Sequence, residues 1–274
     1  ELEIYADTIT YNKITEELVA EANVVAKDLI NKTEITSEKM VFFKKKNQII
    51  TEGKTFFSFN NEYNGESSDV SFYINEKIIF STKLSIFKDN FENIIEASSF
   101  RYSNNTEILK ANNIELFDKD KNKYFLTKGF LNLKKNILLG KDLKVNLRND
   151  TFGIPENQPK LKGNSVNYQN DKTLIKKGIF TSCRDNDDCP PWVITSKEII
   201  HDRNKKEIHY KNAWLKIYNT PVLYFPKFFH PDPTVKRKSG FLMPTFGESK
   251  NLGSSVNIPY FHVIADNSDL TFKP

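Results

Sequence analysis

The sequence has no apolar run of the roughly 18–20 residues that a transmembrane helix requires. No charged segment followed by an apolar one opens the chain, so we expect a mature or excised segment without a signal peptide. Motifs for nucleotide binding (GxxxxGKS/T, GxGxxG), zinc proteases (HExxH) and α/β-hydrolases (GxSxG) are also missing. Nothing therefore supports an enzyme, and we expect no cofactor.

Cysteine is scarce, and the two that are present, Cys183 and Cys189, are separated by residues 184–188. This spacing is not CxxC, and adding His201 and His209 produces no common zinc module. We therefore expect no metal. A disulfide is favoured, either between the two cysteines or from one of them to a partner outside this segment. Two free buried thiols are the alternative.

Glycine is uncommon as well, at 10 of 274 residues, which argues against collagen-like or tightly packed propeller folds. Apolar residues make up 38%, which is low for a thick core, while 27% charged and 13% aromatic residues argue against disorder. The net charge of +5 comes from lysines interspersed with acids. That pattern suits solvated strand faces better than a nucleic-acid stripe, and it leaves a basic patch for an anionic ligand as an alternative.

A repeated β-strand pattern is what the sequence has in abundance. A small residue and a polar pair are followed by an alternating strand that ends in an aromatic, a polar turn and a returning strand. Because one such strand pair cannot bury its own apolar face, we predict that the units stack, with an irregular spacing of roughly 20–45 residues. Residues 15–30 could form an amphipathic helix, but their context favours strands. Copies of the pattern begin at residues 6–11, 37–43, 67–73, 111–117, 140–146, 163–168 and 196–201.

The predicted fold is all-β: an elongated jelly-roll-like stack with a modest interior, or one lined for an apolar ligand. After this stack, residues 240–247 and 254–265 predict two further strands around a turn at 248–253. Pro244 and Pro259 lie within them. Because proline lacks the N–H that a sheet ladder needs, these strands would pair weakly. A strand end or bulge at each proline is the alternative.

An ordered set of phrases resembles the LptD (OstA, Imp) family of LPS-assembly outer-membrane proteins, and it covers about a third of the chain closely. The repeats before it resemble, more loosely, the periplasmic OstA-type β-jelly roll that this family shares with the bridge protein LptA. The phrases are FTSC at residues 180–183, CPPW at 189–192, IIHDR at 199–203, NAWLK at 212–216, PVLYFP at 221–226, KRKSGFLMP at 236–244 and NIPYF at 257–261.

The resemblance implies that residues 1–235 form a periplasmic jelly roll and that residues 236–274 form the first two strands of a transmembrane β-barrel. The jelly roll would receive lipopolysaccharide (LPS) from the periplasmic bridge, shield its acyl chains and pass it to the lateral gate of the barrel. Implied partners are LPS, an LptA-like protein paired with the N-terminal edge strand, an LptE-like lipoprotein plug and the outer membrane. Most of this segment would lie in the periplasm, with no nucleic acid involved.

Two other functions are weighed against this one. An LptA-like periplasmic bridge would not need the proline-bearing strands after residue 239. A β-solenoid enzyme acting on polysaccharide would require paired carboxylates on one strand face, and no such pair is evident.

Three sets of candidate site residues follow. The resemblance implies that Pro244 and Pro259 weaken the gate between the first and last barrel strands. It also places Cys183 at a family position that forms a disulfide with the barrel end, whereas Cys189 departs from the family pattern, so the disulfide partner stays open. Alternation along the strands predicts a lipid-binding groove lined by Ile9, Val24, Val41, Phe72, Ile114, Leu116, Phe130, Leu143 and Val166.

Overall fold

The computed structural model consists almost entirely of β-strands, which confirms the all-β prediction. It describes residues 2–29, 33–59, 63–88, 93–119, 121–149, 158–183, 191–232, 235, 237–242, 245–249, 253–265 and 267–273. A short 3-10 turn occurs at Lys44–Lys46. No helix in the described ranges is long and apolar enough to cross a membrane.

The first eighteen strands belong to one antiparallel sheet. At its N-terminal edge, β1 (Leu2–Tyr5) and β2 (Thr8–Asn12) both pair with β3 (Glu17–Asp28), so together they form one interrupted edge strand. β3 pairs with β4 (Thr33–Phe43), which pairs with β5 (Gln48–Phe59). Because β3 occupies most of residues 15–30, the helical alternative for that stretch is wrong.

The sheet divides after β5 and rejoins at β10 (Ile94–Ser103). β5 pairs with both β6 (Tyr63–Ser68) and β7 (Ser71–Tyr73). β6 pairs with β9 (Ser85–Lys88), and β7 pairs with β8 (Ile78–Ser81). Both β8 and β9 then pair with β10. Eight further strands then pair in chain order: β11 (Ile108–Phe117), β12 (Lys123–Asn132), β13 (Ile137–Asn146), β14 (Lys160–Gln169), β15 (Lys172–Thr181), β16 (Trp192–Asp202), β17 (Glu207–Ile217) and β18 (Thr220–Pro231).

Turns along one edge of the sheet stack on each other through backbone hydrogen bonds. The N–H of Asn104 donates to the carbonyl of Lys77 at 2.9 Å, and the N–H of Leu133 donates to the carbonyl of Glu107 at 2.9 Å. A residue with positive φ recurs in these turns about 30 residues apart, the length of one strand pair with its two turns. This period is more regular than the predicted one. The positions are Glu16, Asn47, Lys77, Glu107, Asn136, Asp171 and Lys206.

A residue with positive φ lies in the middle of alternate strands. In β11, Asn113 has a φ of 46° and no partner in the register with β12, in which Asn112 faces Lys128 and Ile114 faces Leu126, so the register itself does not shift. Ala111 and Ile114, three positions apart, are nevertheless both buried in the core, so the alternation of faces changes phase here. Equivalent positive-φ residues lie in β13, β15 and β17 at Asp142, Lys177 and Asn212.

One face of the sheet carries the buried core and is called the inner face here; the opposite one is the outer face. Glycines on the inner face make room for large aliphatic neighbours. A Cβ atom on Gly129 would lie 2.3 Å from Ile114 Cδ1, and one on Gly163 would lie 2.3 Å from Ile175 Cγ2. Since real Cβ atoms do not approach other atoms so closely, these isoleucines pack directly on glycine backbone.

Two small sheets follow the long one. β19 (Gly240–Phe241), β22 (Tyr260–Ala265) and β23 (Ser268–Phe272) form one, and β20 (Thr245–Ser249) and β21 (Gly253–Asn257) form the other. The prediction of one continuous strand over residues 254–265 is therefore wrong, whereas residues 243–244 within the first predicted strand lie outside the described residues. The second divides at Pro259, whose carbonyl accepts a hydrogen bond from the Leu242 N–H at 2.8 Å. Pro244 lies outside the described residues, and the domain boundary at residue 235 stays a prediction.

Candidate functional site

The inner face changes from closed to open along the sheet. One cross-strand row runs from Ile49 through Phe72 and Ile79 to Tyr102, with side chains 0–4% exposed. The same row continues through β11–β17, where its apolar members are only half-buried. From β11 onward, this row is thus a half-buried apolar stripe that lies beside buried core residues such as Ile114, Leu143 and Val166. The half-buried members of the row are Leu109, Leu131, Leu138, Tyr168 and Ile208.

An aromatic cluster fills the interior where the sheet divides. The rings of Phe57, Phe87 and Phe100 pack with centroid distances of 5.0–5.8 Å, and each residue is 3% exposed. Phe57 reaches this position over Gly65, where a Cβ would lie 2.2 Å from Phe57 Cε2. These rings close the inner face between β5 and β10.

The predicted groove residues are distributed between the two faces. Leu116 is half-buried on the inner face, and Ile9 lies opposite the buried Ala20 but is 48% exposed. Val41 and Phe130 lie on the outer face, so they are not part of the inner surface. The remaining five belong to the buried core with exposures of 0–8%: Val24, Phe72, Ile114, Leu143 and Val166.

A second inner row, closer to the other edge of the sheet, was missed by the sequence analysis. It joins Tyr124, Val145, Leu161 and Phe180 on successive strands. It continues to Leu223 on β18, which is 49% exposed. Alternation counted separately on the two sides of the mid-strand change of phase is the signal that could have found these residues.

The last strand of the sheet exposes apolar residues on both faces. On β18, Leu223 is 49% exposed on the inner face, and Val222, Tyr224 and Phe229 are 50%, 42% and 55% exposed on the outer face. Within the described residues, β18 has recorded partners only in β17. The open inner surface therefore extends to the C-terminal edge of the sheet.

Polar side chains gather where β18 ends. Tyr210 Oη lies 3.1 Å from His230 Nε2, and His230 Nδ1 lies 2.7 Å from the Pro231 carbonyl oxygen. Because a carbonyl can only accept, Nδ1 carries the proton in the neutral ring, and Nε2 accepts from the Tyr210 hydroxyl. Burial lowers the pKa of His230 and raises the pKa of Tyr210, so both groups are held neutral. His201 pairs with Asp232 beside them.

Ionic contacts connect the long sheet to the segment after it. The Lys238 ammonium donates to the Glu207 carboxylate on β17, and this hydrogen bond lowers the pKa of Glu207. Ser239 Oγ in turn accepts a hydrogen bond from the Val263 N–H on β22 at 2.9 Å. Residues 238–239 therefore contact both β17 and β22.

The cysteine prediction can be followed for one residue only. Cys183 is buried and is a free thiol, whose Sγ lies 3.8 Å from the Trp192 carbonyl oxygen. Cys189 lies outside the described residues, so the choice of disulfide partner stays a prediction. In the part of the chain that the structure describes, no three His, Cys, Asp or Glu side chains are grouped so that they could hold a metal ion.

Comparison with known proteins gives a consistent family signal in the C-terminal part. The family model described as "LptD protein" matches residues 208–274. The LPS-assembly protein LptD of Yersinia pestis bv. Antiqua (strain Antiqua) is 39% identical over 102 residues, covering 37% of this chain and 13% of the relative. The LptD of Hahella chejuensis (strain KCTC 2396) is 42% identical over 103 residues, covering 36% of this chain and 12% of that relative. The matched segment thus spans about an eighth of the length of these curated relatives.

A solved structure is also similar. It is titled LptH, the LptA homologous periplasmic component of the conserved lipopolysaccharide transport device from Pseudomonas aeruginosa. It is 12% identical, with a TM-score of 0.36 over 41% of this chain and 82% of that one, which is too weak a likeness to carry an argument.

Proposed function

This chain belongs to the LptD family, and from that premise we propose that it carries lipopolysaccharide toward the outer membrane on the inner face of its long sheet. The observation that supports this proposal is the half-buried apolar surface of β11–β18. A row that served only as a core would be covered, as its members Ile49, Phe72, Ile79 and Tyr102 are. An acyl chain laid on this surface gains about 0.8 kcal/mol for each buried CH₂ group.

The two ends of the sheet suit a transfer path. The N-terminal edge, formed by β1 and β2, pairs only with β3 among the described strands, which leaves backbone groups available for β-augmentation. We propose an LptA-like jelly-roll protein as the partner there. At the other end, the exposed residues of β18 lead into residues 236–274, which we propose to be the start of an outer-membrane β-barrel that encloses an LptE-like lipoprotein.

Pro244 and Pro259 are proposed to weaken strand pairing at the lateral gate. The break between β21 and β22 at Pro259 supports this role, since the ladder of paired residues ends at Asn257 and resumes at Tyr260. The match of residues 208–274 to the LptD family model favours this function over that of a separate bridge protein. In this proposal the chain performs no chemistry on its ligand.

A photo-crosslinking pair tests the proposal. Leu161 is half-buried on the inner face of β14, and its neighbour Lys162 is exposed on the outer face. A photoreactive amino acid at Leu161 is expected to capture LPS in living cells, and the same residue at Lys162 is the matched control. Absence of capture at Leu161, or equal capture at both positions, would contradict transport along the inner face.

A further inference from the structure

The outer face of the sheet contains a concave site that the acyl-chain surface does not use. It has a volume of about 600 Å³ and lies across β8 and β10–β13. Phe80, Phe130 and Leu139 form its apolar floor. Leu139 is 41% exposed, and the other two are half-buried.

Strand register places this site on the outer face. Phe80 lies opposite Arg101, which lies opposite Lys110 and then Phe130 on the next strands. Cross-strand partners share a face. The residues that alternate with them, Phe100 among them, belong to the buried core on the other face.

Four cations surround the apolar floor in two directly opposed pairs. Arg101 faces Lys110 across β10 and β11, and Lys128 faces Lys141 across β12 and β13. Like charges directly opposite each other destabilise a sheet. Across the described residues, none of the four takes part in an ion pair, and the site is lined by no carboxylate.

Some other cations on this face are neutralised by acids across the strands, whereas Lys144 and Lys162 face each other as a further opposed pair of lysines. Lys211 Nζ lies 2.9 Å from Glu198 Oε2, and Lys39 Nζ lies 3.0 Å from Glu52 Oε2. Opposed lysines alone therefore do not mark a binding site. Arg101, Lys110, Lys128 and Lys141 differ in that both opposed pairs border one apolar concavity, where an anion from outside the chain would neutralise them.

We propose that this concavity binds a ligand that carries phosphate groups next to an apolar portion. Neighbouring strands are about 4.8 Å apart, so the four cations form a compact cluster that suits closely spaced phosphates better than the wider-spaced carboxylates of an extended peptide. The apolar portion would lie on Phe130 and Leu139. Such a ligand is either a lipid headgroup with its first methylenes or a free organic phosphate. The site does not depend on the proposed LPS path, since it lies on the opposite face.

Calorimetry on the whole protein in detergent tests this proposal with two probes. The first is inorganic pyrophosphate, and the second is dihexanoyl phosphatidylglycerol below its micelle concentration, compared with dihexanoyl phosphatidylcholine. The Lys110→Gln/Lys128→Gln variant is expected to bind about tenfold more weakly, because it removes two charge-assisted hydrogen bonds. Pyrophosphate binding alone would indicate a free phosphate as the ligand, and tighter binding of the glycerol lipid would indicate a headgroup.

The matched control is Lys144→Gln/Lys162→Gln. These two lysines also face each other on the outer face, but outside the concavity, so the variant loses the same charge. It is expected to keep the binding within about twofold. An equal loss in the control, no binding of either probe beyond that of the choline lipid, or tighter binding of poly-glutamate than of both probes would overturn the proposal.

A second variant separates ligand binding from a structural role. Lys128→Glu places an acid opposite Lys141, so the ligand-free protein is expected to melt about 1–3 °C higher while phosphate binding is lost. If Lys128 served stability alone, the variant would not combine a higher melting temperature with a loss of phosphate binding. A lower melting temperature, or unchanged binding in this variant, would also count against the site.

Discussion

The contact between Gly178 on β15 and Ile199 on β16 permits a quantitative test of the inner face. A Cβ atom on Gly178 would lie 2.3 Å from Ile199 Cδ1 and 2.7 Å from its Cγ1, but 3.7 Å from its Cβ. Ile199 is 2% exposed, so its side chain has little room to move. Overpacking of this kind destabilises the folded state by about 1–3 kcal/mol. Replacing glycine also restricts the backbone of the unfolded chain, which stabilises the folded state by about 0.4–1 kcal/mol. Gly178→Ala should therefore destabilise the protein by about 1–2 kcal/mol.

The double variant is more informative than either single one. Ile199→Ala alone should cost about 2–5 kcal/mol, because it leaves a cavity in the core. In Gly178→Ala/Ile199→Ala, the new methyl group meets only the Cβ of residue 199, at an ordinary contact distance. The double variant should thus be more stable than the sum of the two effects by about 1–3 kcal/mol.

Urea unfolding of the three variants and the parent measures this coupling. Gly129→Ala combined with Ile199→Ala is the matched control, because a Cβ on Gly129 meets Ile114 rather than Ile199, at the same 2.3 Å. The control pair should be additive within about 0.5 kcal/mol. Additivity in the Gly178 pair as well would refute the packing of β15 against β16 described here.

Two further predictions concern β17 and β18. Burial lowers the pKa of His230, so the unfolded chain binds more protons than the folded one between that lowered pKa and about 6.5, and stability should fall as the pH drops through this window. The urea midpoint of the parent should thus fall more than that of His230→Phe between about pH 7.5 and 5.5, and equal losses would contradict this reasoning. Asn212, at a φ of 50° in the middle of β17, should tolerate glycine, whereas Asn212→Val should cost about 1–2 kcal/mol, and equal effects in urea unfolding would contradict the left-handed backbone at this residue.

The repeats predicted strands well because each copy contains its own turn and alternating segment. Residues 111–117, for example, form most of β11. The faces were predicted less well, since a bulge changes the phase of alternation within a strand. Counting from Ser37 by twos places Val41 inside, but the register shifts between Ser37 and Lys39, so Met40 lies inside instead. The face predicted for Phe130 was also wrong, because Leu126 and Gly129 lie three residues apart on one face although the register of β12 with β11 does not shift between them.

The change from a closed to an open interior could not be predicted from local pattern. It depends on the division of the sheet after β5, which brings Phe57 from β5 against Phe87 from β9 and Phe100 from β10. These residues are far apart in sequence, and none of them differs locally from the apolar residues of β11–β18. The sequence predicted the clustered cations of the outer face only as a general basic patch. Lys128 and Lys141 lie opposite each other because of the strand register, which the local sequence does not reveal.

The aromatic cluster determines how a lipid could use the inner face. With Phe57, Phe87 and Phe100 packed at interior density, an acyl chain can lie on β11–β18 but cannot pass between β5 and β10 unless the rings separate. Each ring pair contributes about 0.5–1.5 kcal/mol beyond its buried area, so breaking the three contacts costs about 1.5–4.5 kcal/mol. About two to six methylene groups, at about 0.8 kcal/mol each, would offset that cost. In the proposed transport, a lipid arriving from the β1–β2 end would therefore offset the ring-pair cost with a fraction of one acyl chain, and the cluster would act as a barrier to passage rather than as a permanent closure.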